Sequence, residues 1–234
     1  MHTSALEFGR RFLDSYALDR RLTIAEIGAS DVNGSLRQLA GEGHEYIGLD
    51  LEPGPGVDRV IDDPYRIPVE DGVLDMCLAS SCLEHVEFFW LLFEEMLRVL
   101  KPDGLVYLNV PSSGPFHRYP VDCWRFYPDS GVALERWGRR QGFECLLLES
   151  FVDDGDADGF RDFVCVFLKD RSHVARFPRR ILDDFDRFTN GLRDDQRDFA
   201  NPSDIAEPTE LTDAFKETVK EELKRLWRES KKTQ

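Results

Sequence analysis

Residues 24–35 read Ile24-Ala25-Glu26-Ile27-Gly28-Ala29-Ser30-Asp31-Val32-Asn33-Gly34-Ser35, and the run Glu45-Tyr46-Ile47-Gly48-Leu49-Asp50 follows, closing on an acid. Thr23–Ile27 is short, apolar and rich in β-branched residues, which predicts a strand. The glycines after it predict a turn. Asn33 or Ser35 caps a helix through Leu39, and Gly41 or Gly43 ends it. Tyr46–Asp50 is then a second strand, with Asp50 at its tip, twenty-two residues beyond Gly28. A strand, a glycine turn, a helix, a strand and a terminal acid place a nucleoside against the carboxyl edge of a parallel sheet. The turn lets backbone approach the ligand, and the acid accepts hydrogen bonds from both ribose hydroxyls.

The same alternation continues outward. Residues 4–20 hold Leu6, Phe8, Phe12, Leu13, Tyr16 and Leu18 at helical spacing and predict a leading helix beside the nucleoside site. Strands are expected at Val57–Asp62, Leu74–Ser80 and Leu105–Val110. Phe88–Leu100 is a helix stopped by Lys101-Pro102-Asp103-Gly104. A further helix runs from an Asp129 or Ser130 cap to Gln141 and closes at Gly142. Phe143–Phe151 and Phe163–Leu168 are two last strands, antiparallel because their connection has no room for a helix. The expected fold is α/β, a doubly wound, mostly parallel seven-stranded sheet, with residues 1–169 as one domain. Residues 170–234 change character and are expected to form a helical extension, with helical stretches around Phe177–Leu192 and Thr209–Trp227. The stripe Leu211, Phe215, Val219, Leu223, Leu226 and Trp227 is expected to pack on the domain or on a second copy, giving a homodimer.

With 234 residues and a formal charge of −15, the chain can bury one substantial core and offers no basic face for nucleic acid. No apolar run is long enough to span a bilayer, and the charged residues among the first sixteen argue against a signal peptide. The five cysteines, at 77, 82, 123, 145 and 165, form no C-x-x-C pair. They read as reduced thiols of a cytoplasmic protein, and no metal set is assigned from their spacing.

The order of motifs resembles a class I S-adenosylmethionine-dependent methyltransferase of the type 11 subgroup. It runs Glu26-x-Gly28, Asp50, Asp62-Asp63-Pro64-Tyr65-Arg66-Ile67-Pro68, Asp71-Gly72-Val73-Leu74-Asp75, Ser81-Cys82-Leu83-Glu84-His85-Val86 and Arg98-Val99-Leu100-Lys101-Pro102-Asp103-Gly104. The resemblance spans roughly residues 20–168. It implies a Rossmann-like fold and S-adenosylmethionine as cofactor. Glu26, Gly28 and Ala29 would lie beside the methionine moiety, and Asp50 with Leu51 beside the ribose. Asp63, or else Asp62, would meet the adenine amino group, and Ala79 and Ser80 would line the sulfonium side. The family's second and third turn glycines fall here at Ser30 and Val32, so a wider turn is expected. His85 lies near the cofactor, either as a structural histidine or as a candidate base.

Residues 110–128, Val110-Pro111-Ser112-Ser113-Gly114-Pro115-Phe116-His117-Arg118-Tyr119-Pro120-Val121-Asp122-Cys123-Trp124-Arg125-Phe126-Tyr127-Pro128, follow the fifth strand and must overhang the sheet edge. Arg118 and Arg125 are candidate forks for a phosphate or carboxylate, and Tyr119 and Trp124 candidate flat faces for an acceptor. The wording is similar to methyltransferases of glycan and natural-product pathways. A hydroxyl acceptor needs a base, and His117 is the candidate, with Asp122 orienting it or acting itself. Asp154-Gly155-Asp156-Ala157-Asp158-Gly159 matches half a calcium loop, but Cys165 stands at the twelfth position, so an acidic hairpin is expected. The functional expectation is O-methylation of a small hydroxylated acceptor such as a sugar. N- or C-methylation and a non-catalytic partner subunit are the alternatives.

Overall fold

The computed structural model describes residues 3–17, 19–32, 34–155, 160–203 and, beyond these, 217, 218, 220, 221, 223 and 224. The chain divides into two units, Met1–Asn201 and Pro202–Gln234.

In the first unit, β1 (Thr23–Ile27), β2 (Glu45–Asp50), β3 (Arg59–Val60), β4 (Leu74–Ser80) and β5 (Leu100–Ser113) form the parallel part of one sheet. β6 (Leu146–Asp153) and β7 (Arg161–Leu168) follow, and β7 enters antiparallel between β5 and β6. With an eighth strand, β8 (Phe188–Arg193), the order is β3-β2-β1-β4-β5-β7-β6-β8. β4, with every residue buried, and β7 are central and read as continuous apolar runs, as strands covered on both faces must.

Two apolar layers cover the sheet. On one face lie α3 (Phe89–Val99) and α4 (Ser130–Arg140), with Leu92, Phe93, Met96, Leu97 and Leu134 packed over Cys77, Ala79, Val106, Leu108 and Phe167. On the other, α1 (Thr3–Tyr16) buries Phe8, Phe12 and Tyr16 against Ile24, Tyr107, Phe151 and Val166. These residues follow the helical spacing read from the sequence, so burial of one stripe explains α1.

The eighth strand corrects the sequence reading. β8 (Phe188–Arg193) falls where a helix was expected and pairs antiparallel with β6, so the sheet has eight strands. Arg171–Arg176 and Ile181–Asp183 are short 3-10 turns rather than a helix. The apolar spacing there is real, since Phe177, Ile181 and Phe185 are all buried on the α1 face. Pro178 and the Thr189-Asn190-Gly191 segment are poor helix residues, and β6 offers an open edge. Residues 170–193 therefore belong to the sheet unit and are no helical appendage.

Three smaller differences concern boundaries. α2 spans only Arg37–Ala40, because Asp31, Gly34 and Ser35 are used in turns before it: Asp31 accepts from the Gly34 N–H at 2.8 Å and Ser35 Oγ from the Arg37 N–H at 3.1 Å. Lys101-Pro102-Asp103-Gly104 is no terminating turn but a bulge at the start of β5, between the pairs Leu74–Leu100 and Met76–Leu105. The third strand keeps two residues of the expected six. Of the 209–227 stripe, Leu223 is described and exposed; Leu211, Phe215, Val219, Leu226 and Trp227 lie outside the described residues. So do residues 156–159 of the acidic loop. Among the described residues no helix is long and apolar enough to cross a membrane.

Candidate active site

The carboxyl ends of β1, β2 and β4 converge. Gly28 and Ala29 leave β1 with their N–H groups on the Leu49 carbonyl, at 2.9 and 3.1 Å. Gly28 has φ +74°, and a Cβ there would stand 2.9 Å from both Cβ and Sγ of Cys82. Glycine is required twice over, by backbone conformation and by the approach of the β4 turn. At the tip of β2, Asp50 Oδ2 accepts from the Ser30 N–H at 3.0 Å and Oδ1 from the Leu51 N–H at 2.7 Å. The carboxylate is thus fixed across the turn, and each oxygen keeps lone-pair capacity for a hydroxyl. Leu51 is exposed beside it.

Glu26 is differently placed. It is buried, accepts from the Tyr46 hydroxyl at 2.7 Å, and is further engaged by Ser35 and the Leu36 backbone. Burial pushes its carboxyl above the usual range despite these bonds. Its visible work is to clasp the turn to β1 and β2. Asp62 and Asp63 are both exposed; Asp63 Oδ1 accepts from the Tyr65 N–H at 2.8 Å and builds its own turn. Ala79 and Ser80 are both buried at the end of β4. Ala79 places its methyl in the apolar layer under α3, so only backbone from this residue reaches the strand end.

Past β4, Ser81 has φ +51°, a conformation that costs a non-glycine residue energy, and its N–H bonds the Asn109 carbonyl at 2.9 Å. This bend throws the chain into the 3-10 turn Leu83–His85. Glu84, on that turn, is 1 % exposed, and its Oε2 has no hydrogen-bond partner among the described residues. Burial pushes its carboxyl up to about 8. His85 Nδ1 contacts the Val121 carbonyl, and its Nε2 lies 3.6 Å from Glu84 Oε1. Burial lowers the pKa of His85, favouring neutral imidazole.

The 111–128 loop folds back over this turn. Cys123 and Trp124 donate their N–H groups to the Glu84 carbonyl at 2.8 and 3.3 Å. His117 meets His85 edge to face, with ring centroids 5.0 Å apart, and meets Phe160 at 5.6 Å. Two of the four expected acceptor contacts are otherwise employed. Arg125 holds both Asp122 oxygens, at 2.5 and 2.9 Å, and the Pro115 carbonyl at 2.9 Å, so its fork is turned inward. The Trp124 indole N–H is given to the Val86 carbonyl at 3.0 Å and its ring packs on Phe89. Arg118 and Tyr119 remain exposed. Asp122 is committed within the loop: the Arg125 guanidinium holds its carboxyl down at about 2, which makes it a weak base, and it also accepts the His117 N–H at 2.7 Å. These contacts tie residues 115–125 of the loop together.

Comparison with known proteins agrees with this geometry. Residues 25–108 match the methyltransferase-domain family. An uncharacterized methyltransferase of Mycobacteroides abscessus is 33% identical over 118 residues, 44% of this chain and 45% of the relative. Another, of Mycobacterium avium, is 30% identical over 155 residues, 60% and 59% of the two chains. The chain spans about half the length of the curated relatives it matches. Among solved structures, the Burkholderia thailandensis 1,6-didemethyltoxoflavin-N1-methyltransferase, with bound S-adenosylhomocysteine, superposes with TM-score 0.55 at 18% identity over 71% of this chain and 79% of that one. The [4+2]-cyclase SpnF superposes at 0.54, with 15% identity over 70% and 81%. The chain is thus similar to class I S-adenosylmethionine-dependent methyltransferases, with the family match confined to residues 25–108.

The side chains of the methyltransferase domain fit that cofactor. Gly28 leaves a cradle that a Cβ would fill, and Asp50 closes β2 beside that turn with acceptor capacity to spare. Cys82 and Glu84 are the residues that sequence reasoning missed. Cys82 presses against Gly28, and burial raises its thiol pKa far above the usual range. An acid directly before His85 was the available signal for Glu84, but its burial depends on the overlying loop.

Proposed function

We propose that this domain transfers the methyl group of S-adenosylmethionine to a hydroxyl of a small acceptor, a sugar or glycosylated metabolite being the leading class. The observation that carries the reading is the cluster of His85, His117 and Glu84 at the carboxyl end of β4, beside the cofactor turn. Bound S-adenosylmethionine supplies an activated methyl on sulfur; the protein has to align an acceptor and accommodate its proton. Asp50 and the Gly28 turn would hold the cofactor's ribose and methionine ends, with Asp62 or Asp63 toward the adenine. The His85–His117 pair would face the acceptor oxygen, and exposed Tyr119 and Arg118 would border the acceptor's entry.

The test is direct. Calorimetry of the purified chain with S-adenosylhomocysteine should show binding, and methyl transfer should appear on a panel of hydroxylated acceptors. His117→Ala should lower kcat by about 10²- to 10⁴-fold with cofactor affinity unchanged, as loss of a proton-handling group does. Absence of cofactor binding would remove the assignment.

A second reading is N-methylation. Two structural neighbours are N-methyltransferases by name, the toxoflavin-pathway protein and the phosphoethanolamine enzyme of Haemonchus contortus. A neutral amine needs no base during transfer, so His117→Ala would then keep near-normal turnover. Because a cyclase shares the fold, formation of S-adenosylhomocysteine with methylated product is the required readout.

A further inference from the structure

We propose that Glu84, His85 and His117 form a binding site for one divalent transition-metal ion. One ligand atom from each lies within 4.8 Å of the other two. Three features of the cluster go beyond proximity.

The first is the carboxylate. Glu84 is 1 % exposed, yet its Oε2 has no hydrogen-bond partner among the described residues; Arg125 acts on it only from beyond ion-pair distance, and no arginine or lysine among the described residues forms an ion pair with it. A buried carboxylate oxygen without a donor is costly unless something satisfies it. A cation held by the two neighbouring imidazoles does so.

The second is the orientation of the imidazoles. A metal-bound histidine characteristically gives its other ring N–H to a carbonyl or carboxylate, which fixes the tautomer and the ring. His85 meets the Val121 carbonyl through Nδ1, leaving Nε2 on the side of Glu84 Oε1 at 3.6 Å. His117 meets the Pro115 carbonyl through Nδ1 at 3.1 Å, leaving its Nε2 open. Both rings are held from behind by the same loop, and that loop is itself locked by the Asp122–Arg125 pair, which also grips the Pro115 carbonyl.

The third is accessibility. The side chains grade outward, from Glu84 at 1% exposed through His85 at 12% to His117 at 37%. The site is closed on the protein side and open toward the cleft. Ligation at about 2.1 Å per donor needs donor separations of about 3 to 3.5 Å, so the outer His117 has only to swing inward. Two imidazoles and one carboxylate suit manganese, iron, cobalt or zinc rather than magnesium or calcium, and three protein ligands leave positions for an oxygen of water or acceptor. The binding claim stands on these side chains alone; a role in holding the acceptor oxygen rests on the function proposed above.

The experiment uses the untagged full-length chain, stripped with chelator and titrated with Co²⁺ while its visible d–d absorption and imidazole proton resonances are followed. One Co²⁺ per chain should bind, with paramagnetic shifts on His85 and His117 but not on His44 or His173. Glu84→Gln and His117→Ala should each weaken binding more than about tenfold, the smallest loss expected when even an outer partner is removed. No binding at millimolar Co²⁺, shifts confined to other histidines, or variants that bind like wild type would overturn the site. Parallel calorimetry with S-adenosylhomocysteine separates the two ideas: cofactor binding without Co²⁺ binding defeats the metal site alone, and the reverse defeats the methyltransferase reading of the cleft alone.

Discussion

Single residues at the sheet edge divide into those that hold the cleft's shape and those with capacity left over. Asp50 belongs to the second kind. Asp50→Ala removes a carboxylate able to take two charge-assisted bonds and should weaken S-adenosylhomocysteine binding by about 2–4 kcal/mol, read by calorimetry. Asp153, at the end of β6, behaves differently. It is buried, and burial together with the nearby Asp162 carboxylate pushes it up to about 7. Its folded pKa is raised above the ordinary carboxylate value, so the folded state holds the extra proton. Stability contributed this way is complete below pH 4 and is lost as pH climbs from about 4 to 7. Asp153→Asn keeps an oxygen for the Asp162 N–H, now at 2.8 Å from Oδ1, and cannot ionise. Urea denaturation should find the variant close to wild type near pH 4 and more stable at pH 8; the same difference at both values would refute the assignment.

At the scale of elements, Glu149 joins three of them. From β6 it accepts the Tyr16 hydroxyl of α1 at 2.6 Å and the N–H groups of Ile181 and Leu182 at 2.7 and 3.0 Å. Burial raises its pKa, and these donors, with Arg180 nearby, oppose the rise. The 3-10 turn at Ile181 has few bonds of its own, so this carboxylate is what docks it on the sheet. Glu149→Ala strands three donors, two of them buried, and should cost on the order of 3 kcal/mol by denaturant unfolding. Hydrogen exchange should rise first in residues 177–193. The fold's apolar spacing was legible at Phe177, Ile181 and Phe185, but not the conformation presenting it, because a helix and a run of 3-10 turns can bury the same residues.

For the whole molecule, the boundary that matters is near 201 rather than 169. A chain ending at Lys169 loses β8 and uncovers Phe151, Val164 and Val166, which Phe177, Ile181 and Phe185 help bury. It should be insoluble or unfold well below the full chain. A chain ending at Ser203 keeps the whole sheet and should retain cofactor affinity and a Tm within a few degrees. The association expected of the 209–227 stripe is a proposal tested by the same pair: sedimentation of the full chain and of residues 1–203 should differ if that stripe joins two copies.

The sequence by itself determined the succession of strands 1 to 7 along the chain, the antiparallel last pair, and the positions of Gly28 and Asp50. All of these follow from local periodicity and from a turn whose chemistry is written in consecutive residues. The acceptor side was not legible in the same way. Arg125 reads as a free fork and Asp122 as a free base until their pairing is seen, because two charged residues three apart in a loop are as able to face outward as to bind each other. Only tertiary structure turned that pair inward, set His117 against His85, and buried Glu84 beneath them. Contacts between residues 84 and 117 are made by a loop closing over a strand end, and no local pattern encodes where such a loop comes to rest.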